Sequence, residues 1–179
     1  GGGTGDLAQR FRAGGGKDVT ICDINASMLA QGRARLVGKD LKGETKFLCG
    51  DAEALPVADA SMDACVTAFC LRNVTRLERA LSEVKRVLKP GGYFLCLEFS
   101  QVTLPLLDRL YDAYSFKILP SIAGTVTGDK DAYVYLVESI RRFPDQESFA
   151  GMIRGAGLER AGYSNLSGGI AALHWGWRL

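Results

Sequence analysis

The 179-residue sequence predicts a single α/β domain built on a mostly parallel sheet. Short β-rich apolar runs alternate with stretches of helical periodicity, the pattern of strands joined by crossover helices. One such run, Met62 to Leu71, is too apolar to have a solvated face, as expected of a strand covered on both sides. Two consecutive strand-like runs close the chain and predict a C-terminal antiparallel hairpin at one sheet edge.

The elements follow in order. Asp18 to Asp23 reads as a buried strand, and Met28 to Leu36 as a helix with Asn25 or Ser27 as its cap. Thr45 to Gly50 and Met62 to Leu71 are the next strands. In the helix after them, Leu77, Ala80, Leu81, Val84, Val87 and Leu88 fall on one face and the charged residues fall elsewhere. Lys89-Pro90-Gly91-Gly92 stops it, because proline cannot continue the ladder and glycine can turn it. Tyr93 to Phe99 is a strand, and the apolar stretch from Thr103 to Gly124 is helical between Pro105 and Pro120. Helices over 132–142 and 146–156 flank Pro144. Strands over 158–165 and 169–177 join through Ser167-Gly168-Gly169.

Composition narrows the function. Hydrophobic residues at 47% and charged residues at 23% suit a globular protein. A net charge of +2 with dispersed basic residues gives no electrostatic stripe for nucleic acid. No apolar run approaches the roughly 18 residues of a membrane span. The five cysteines form no C-x-x-C pair and read as reduced, buried thiols. The single histidine, His174, excludes a zinc site built on several imidazoles; no metal is expected, and His174 itself reads as a satisfied core residue.

The chain opens on Gly1-Gly2-Gly3-Thr4-Gly5-Asp6. Gly3 and Gly5 let a backbone approach a ligand at a helix N-terminus. Such a loop normally follows a strand, so the first strand and any N-terminal helices are expected to lie outside this chain, which is read as one catalytic domain over 1–179, truncated at its N-terminus. Asp23 ends the next strand, where a carboxylate accepts the two hydroxyls of a ribose or caps the following helix. Asp51, in Gly50-Asp51-Ala52-Glu53, follows the strand after that and is placed to accept an adenine amino hydrogen. The order glycine loop, Asp23, Asp51, proline-glycine stop is the layout of class I methyltransferases, Rossmann-like enzymes that use S-adenosylmethionine (SAM). Asp6 points the same way: it would repel a pyrophosphate, whereas SAM carries a sulfonium and an ammonium.

With these residues the chain resembles the ubiquinone/menaquinone biosynthesis C-methyltransferase family (UbiE-like). The matching blocks are GGTGD at 2–6, DIN at 23–25, GDAEALP at 50–56, LRNVT at 71–75, RVLKPGG at 86–92, LEFS at 97–100, YDAYSF at 111–116, ESIRRFP at 138–144 and GGIAALHWG at 168–176. LRNVT, LEFS and YDAYSF are not general methyltransferase features. The run FLCLEFSQV, 94–102, looks more like mitochondrial ubiquinone-pathway members. The resemblance implies that Thr4, Asp23, Asp51 and Ala52 contact SAM, and that the substrate is a prenylated methoxy-benzoquinol or a demethylmenaquinol methylated at a ring carbon. The chain departs from the family at Gly1, usually alanine, at Ala68, serine in some members, and at Cys70, usually glycine.

Carbon methylation needs an electron-rich ring carbon, which an ionised ring hydroxyl supplies. The resemblance implies that Arg72 takes part in activating the substrate. A guanidinium is a poor base, so Arg72 is expected to stabilise the oxyanion while water takes the proton, and Asn73 to orient the ring; an ordinary salt bridge is the competing role for Arg72. Glu98, Asp112 and Tyr114 are the alternative acid-base groups. The apolar residues between Leu104 and Val126 suit a lid over a prenyl tail or a peripheral membrane contact, or else core packing or a homodimer interface. A quinone-biosynthesis complex is a further expected partner. Location is expected at the matrix face of the mitochondrial inner membrane in a eukaryote and in the cytoplasm in a bacterium. The rival functions are a SAM- or nucleotide-binding scaffold and an NAD-dependent oxidoreductase.

Overall fold

A computed structural model of the chain describes residues 1–36, 44–101 and 130–179. Asp112, Tyr114 and the apolar run between Leu104 and Val126 lie outside the described residues. The described elements are α1 (Asp6–Ala13), β1 (Val19–Asp23), α2 (Ala26–Leu36), β2 (Thr45–Cys49), β3 (Met62–Ala68), a 3-10 turn (Leu71–Asn73), α3 (Leu77–Val87), β4 (Leu88–Phe99), α4 (Lys130–Arg142), α5 (Gln146–Gly155), β5 (Glu159–Leu166) and β6 (Ala171–Trp177). Strands β1 and β2 pair in parallel, with Asp23 opposite Cys49. A second sheet has the order β3-β4-β6-β5. There β3 and β4 are parallel and β6 runs against both of its neighbours. The expected α/β design is therefore present as a mixed arrangement among the described residues, two parallel pairings and two antiparallel ones, and the C-terminal hairpin places β6 beside β4 and leaves β5 at the edge.

Local chemistry explains where boundaries differ from the sequence reading. Asn25, not Ser27, caps α2: its Oδ1 accepts from the backbone N–H of Ser27 (3.0 Å) and Met28 (3.2 Å), so the helix begins at Ala26. Strand β3 ends at Ala68, short of the expected Leu71, because Phe69 takes a left-handed φ of 54°. Helix α3 ends at Val87, just before the proline-glycine run. That run is a bulge within β4 rather than a separate loop. Met62 pairs with Leu88 and Ala64 with Tyr93, so β4 advances from 88 to 93 while β3 advances only from 62 to 64.

Two apolar clusters hold these layers together. The predicted face of α3 supplies Ala80, Leu81 and Val84, which pack with Phe94 and Cys96 of β4 and with Phe149 and Ile153 of α5. The smaller cluster joins Ala8 of α1, Ile21 of β1 and Leu29 of α2. Each fully buried Val, Leu, Ile or Phe side chain among them contributes roughly 1.5–3 kcal/mol relative to exposure. The cysteines correct one expectation. All are free, but only Cys96 is buried, and Cys49 is exposed.

Candidate functional site

The opening loop turns tightly before α1. The Gly5 N–H donates to the Gly2 carbonyl (3.0 Å), and Gly3 and Gly5 have φ of 53° and 82°, a region that disfavours side chains bearing a Cβ. The loop is stitched to the end of β1: Gly2 N–H donates to Cys22 O at 2.8 Å, and Gly3 N–H to Asp23 Oδ2 at 2.8 Å. Asp23 Oδ1 accepts from Asn25 N–H, also at 2.8 Å. Asp23 thus does not cap α2, a task Asn25 performs; its carboxylate instead ties the glycine loop to the turn before that helix. It steadies the turn into α2, while each oxygen keeps acceptor capacity.

Asp51 reaches the same end of the sheet. Parallel pairing carries β2 to Cys49 beside Asp23, and Gly50 N–H donates to Asp23 O at 3.0 Å. Asp51 is exposed, its Oδ1 accepting from Glu53 N–H at 2.9 Å, and Ala52 packs partly against the main core. The segment after Asp51 is clamped to α3. The Arg76 backbone N–H and Nε reach the Glu53 carboxylate at 2.9 and 2.6 Å, and the Arg76 N–H holds that carboxyl below its ordinary range. Leu55 N–H donates to Glu83 at 2.7 Å. Sequence reading quoted Glu53 only as part of a motif; its acidic side chain is what fastens the loop.

Thr4 faces another way. Its hydroxyl donates to Asp6 Oδ2 (2.7 Å) and accepts from Arg35 Nη1 (2.9 Å). The Thr4 hydrogen bond and then the Arg35 charge lower the Asp6 carboxyl from its ordinary value. The hydroxyl and Asp6 are therefore committed to a link between the loop and α2, which leaves the Thr4 backbone as its part of the loop surface.

Arg72 and Asn73 occupy the 3-10 turn beyond β3. Arg72 Nη1 donates to Glu98 Oε1 at 2.8 Å and the Arg72 backbone N–H to Glu98 Oε2 at 3.3 Å. Glu98 is 0% exposed and Arg72 12%. The guanidinium carbon lies 5.3 Å from the centroid of the Phe99 ring, which is 4.6 Å from that of Phe69. Arg72 Nε is buried with no hydrogen-bond partner among the described residues. The salt bridge foreseen as the competing role for Arg72 is therefore present, with Glu98 as its partner. Glu98 is committed to this pair, so it is not a free base. Tyr135 of α4, which no motif singled out, donates its hydroxyl to Asn73 Oδ1 at 3.1 Å. Their separation of 62 residues hid that contact from sequence patterns.

The loop also connects the two halves of the site. Gly2 is bonded next to Asp23, and Gly1 lies against Cys70, two residues before Arg72. The two carboxylates and the Arg72–Asn73 turn therefore flank one stretch of glycines at the carboxyl ends of the strands, where open α/β sheets hold their ligands. Asp112 and Tyr114 lie outside the described residues. No cluster that would hold a metal ion occurs among the described residues.

The residues fit a nucleoside cofactor. Asp23 and Asp51 are acceptors with unused lone pairs, suited to the hydroxyl and amino donors of a ribose and an adenine, and the glycine turn gives backbone access beside them. The fold agrees with solved SAM-dependent methyltransferases. One from Methanosarcina mazei has a TM-score of 0.68 at 22% identity, over 100% of this chain and 90% of that one. Another, from Aquifex aeolicus, has a TM-score of 0.68 at 16% identity, over 100% and 79%. Sequence similarity is far higher to the ubiquinone/menaquinone biosynthesis C-methyltransferase UbiE of Brucella anthropi, 56% identical over 99% of this chain and 68% of that protein. That relative is bacterial, which lends no support to a mitochondrial location. The model of the ubiE/COQ5 methyltransferase family matches residues 1–178. Matched over nearly its whole length by that model and by a curated relative, the chain belongs to the ubiE/COQ5 methyltransferase family.

Proposed function

We propose that this chain uses SAM to methylate a ring carbon of a prenylated quinol, a methoxy-benzoquinol of ubiquinone biosynthesis or a demethylmenaquinol of menaquinone biosynthesis. The observation that carries the reading is the desolvated Arg72 guanidinium, with Asn73 beside it, at the same sheet end as Asp23 and Asp51. Asp23 holds the ribose hydroxyls, Asp51 the adenine amino group, and Gly3, Thr4, Gly5 and Ala52 line the cofactor with backbone. When bound, SAM would supply an electrophilic methyl group to the ring carbon and leave as S-adenosylhomocysteine; water takes the hydroxyl proton as the oxyanion forms, and the ring-carbon proton displaced by the methyl group returns to the ring oxygen. Arg72 stabilises the quinol oxyanion, and Asn73 orients the ring. Orientation of this kind contributes about 7–11 kcal/mol at its upper limit.

The family and the named relative support the reaction, and the bacterial source of that relative favours a cytoplasmic location. Among the described residues no helix is long and apolar enough to cross a membrane. The apolar residues between Leu104 and Val126 keep their sequence-derived readings, a lid over the prenyl tail or a membrane contact, or else core packing or a homodimer interface. The test pairs calorimetry with turnover of a short-tailed methoxy-benzoquinol. Asp23→Ala should weaken SAM binding at least tenfold. Arg72→Ala should reduce kcat by about 10²-fold with SAM affinity within twofold of the original. NADH affinity in place of SAM affinity, or full turnover by Arg72→Ala, would overturn the assignment.

A further inference from the structure

A carboxylate buried to 0% exposure beneath the site calls for a reason, because such burial is costly unless every oxygen is paired. Glu98 meets that condition by holding the one turn that presents Arg72 and Asn73. Oε1 accepts from Arg72 Nη1 at 2.8 Å and from Phe99 N–H at 2.9 Å, while Oε2 accepts from the Arg72 backbone at 3.3 Å. The Phe99 ring closes one side of the guanidinium at 5.3 Å. The side chain is thus fixed from the next strand by its charge, its backbone and its flat face. Arg72 Nε has no partner among the described residues, so the guanidinium keeps a donor for which the described residues supply no acceptor.

We infer that Glu98 is a positioning residue that acts through Arg72: it fixes the guanidinium at the carboxyl end of β3 and β4 and balances its charge, so that an uncharged quinol is admitted and its oxygen meets a donor already in place. This rests on the proposed role of Arg72 toward the quinol oxygen. Glu98 neither touches substrate nor takes a proton. Its effect on turnover therefore requires Arg72.

The experiment is a double-mutant cycle of Glu98→Gln and Arg72→Ala, read as kcat and KM for the short-tailed methoxy-benzoquinol at saturating SAM, with SAM affinity measured by calorimetry. Glu98→Gln alone should lower kcat on the order of 10²-fold, the effect of an ångström-scale misplacement, with SAM affinity within twofold. In the Arg72→Ala background the same change should alter kcat by less than about threefold, since there is no guanidinium left to place. Equal losses in both backgrounds would show Glu98 acting directly and overturn the inference, as would an unchanged kcat in Glu98→Gln. An Arg72→Ala variant with the original kcat would instead sink the role of Arg72 itself. Should Glu98→Gln fail to fold, Glu98→Asp keeps the charge but withdraws it by one methylene. Reduced kcat with unchanged SAM affinity then supports the inference, and an unchanged kcat overturns it.

Discussion

An ideal Cβ on Gly1 would lie 2.2 Å from Sγ and 2.4 Å from Cβ of Cys70. These are two of the three positions at which the chain departs from the UbiE-like pattern of alanine and glycine. The two departures therefore compensate: the larger side chain at 70 occupies space that a methyl at 1 would need. Gly1→Ala should destabilise the protein by about 1–3 kcal/mol through overpacking, and adding Cys70→Gly should restore the melting temperature; a Gly1→Ala protein of unchanged stability would refute this. His174 carries a second residue-level consequence. It is fully buried, with Phe149 and Tyr163 rings 4.8 and 5.7 Å away; its ring nitrogens make no hydrogen bond of full geometry among the described residues and approach only the backbone of Gln146 and Ala172, so the expected core histidine is core with weak rather than full pairing. Burial lowers its affinity for a proton below the ordinary value of 6.5, opposed by weaker interactions with the backbone of Gln146 and Ala172. The unfolded chain thus binds the proton more readily, and stability present above pH 6.5 is lost as pH falls through that value toward the lower folded one. The urea midpoint should fall between about pH 7 and 5, where histidine is the side chain that ordinarily titrates, and His174→Leu should flatten that slope.

At the scale of elements, α3 has a stop that its own sequence only half explains. The last carbonyls of a helix lack partners within it, and Leu88 departs straight into β4. Backbone N–H groups of Ala60 and Ser61 reach Arg86 O and Val87 O at 2.9 Å, and Arg178, beyond the last strand, adds to them: the two hydrogens of its Nη1 are shared among Lys85 O and Arg86 O at 3.0 Å and Leu88 O at 2.6 Å. A cation there also complements the negative helix end. Arg178→Ala should cost about 1.5–3 kcal/mol in chemical denaturation, the range for hydrogen bonds to a charged group, and Arg178→Lys should recover part of it. A loss below 0.5 kcal/mol would mean that the backbone N–H groups of Ala60 and Ser61, with water, serve the helix end equally well. The apolar face of α3 was legible because a helix repeats every 3.6 residues; Arg178 was not, because its partners lie 90 to 93 positions away.

Across the whole molecule, legibility follows the range of the interaction. Strands, helices, the Asn25 cap region and the C-terminal hairpin follow from periodicity and turn chemistry, which act over a few residues. The motifs named Asp23, Asp51, Arg72 and Asn73 because each stands at a strand end, and the topology does bring those ends together through Gly1 and Gly2. What the side chains do there was decided by packing. Glu98, one of three alternative acid-base groups in the sequence, is paired by burial with Arg72, Thr4 turned its hydroxyl to Asp6 and Arg35, and Tyr135 entered from a distant helix. The sequence by itself determined the fold class, the family pattern and the strand ends that bear the polar groups, since these depend on local spacing. Only the tertiary structure decided which polar group is free and which is spent, because a partner for a desolvated charge is supplied by whichever chain segment the fold brings within hydrogen-bond reach.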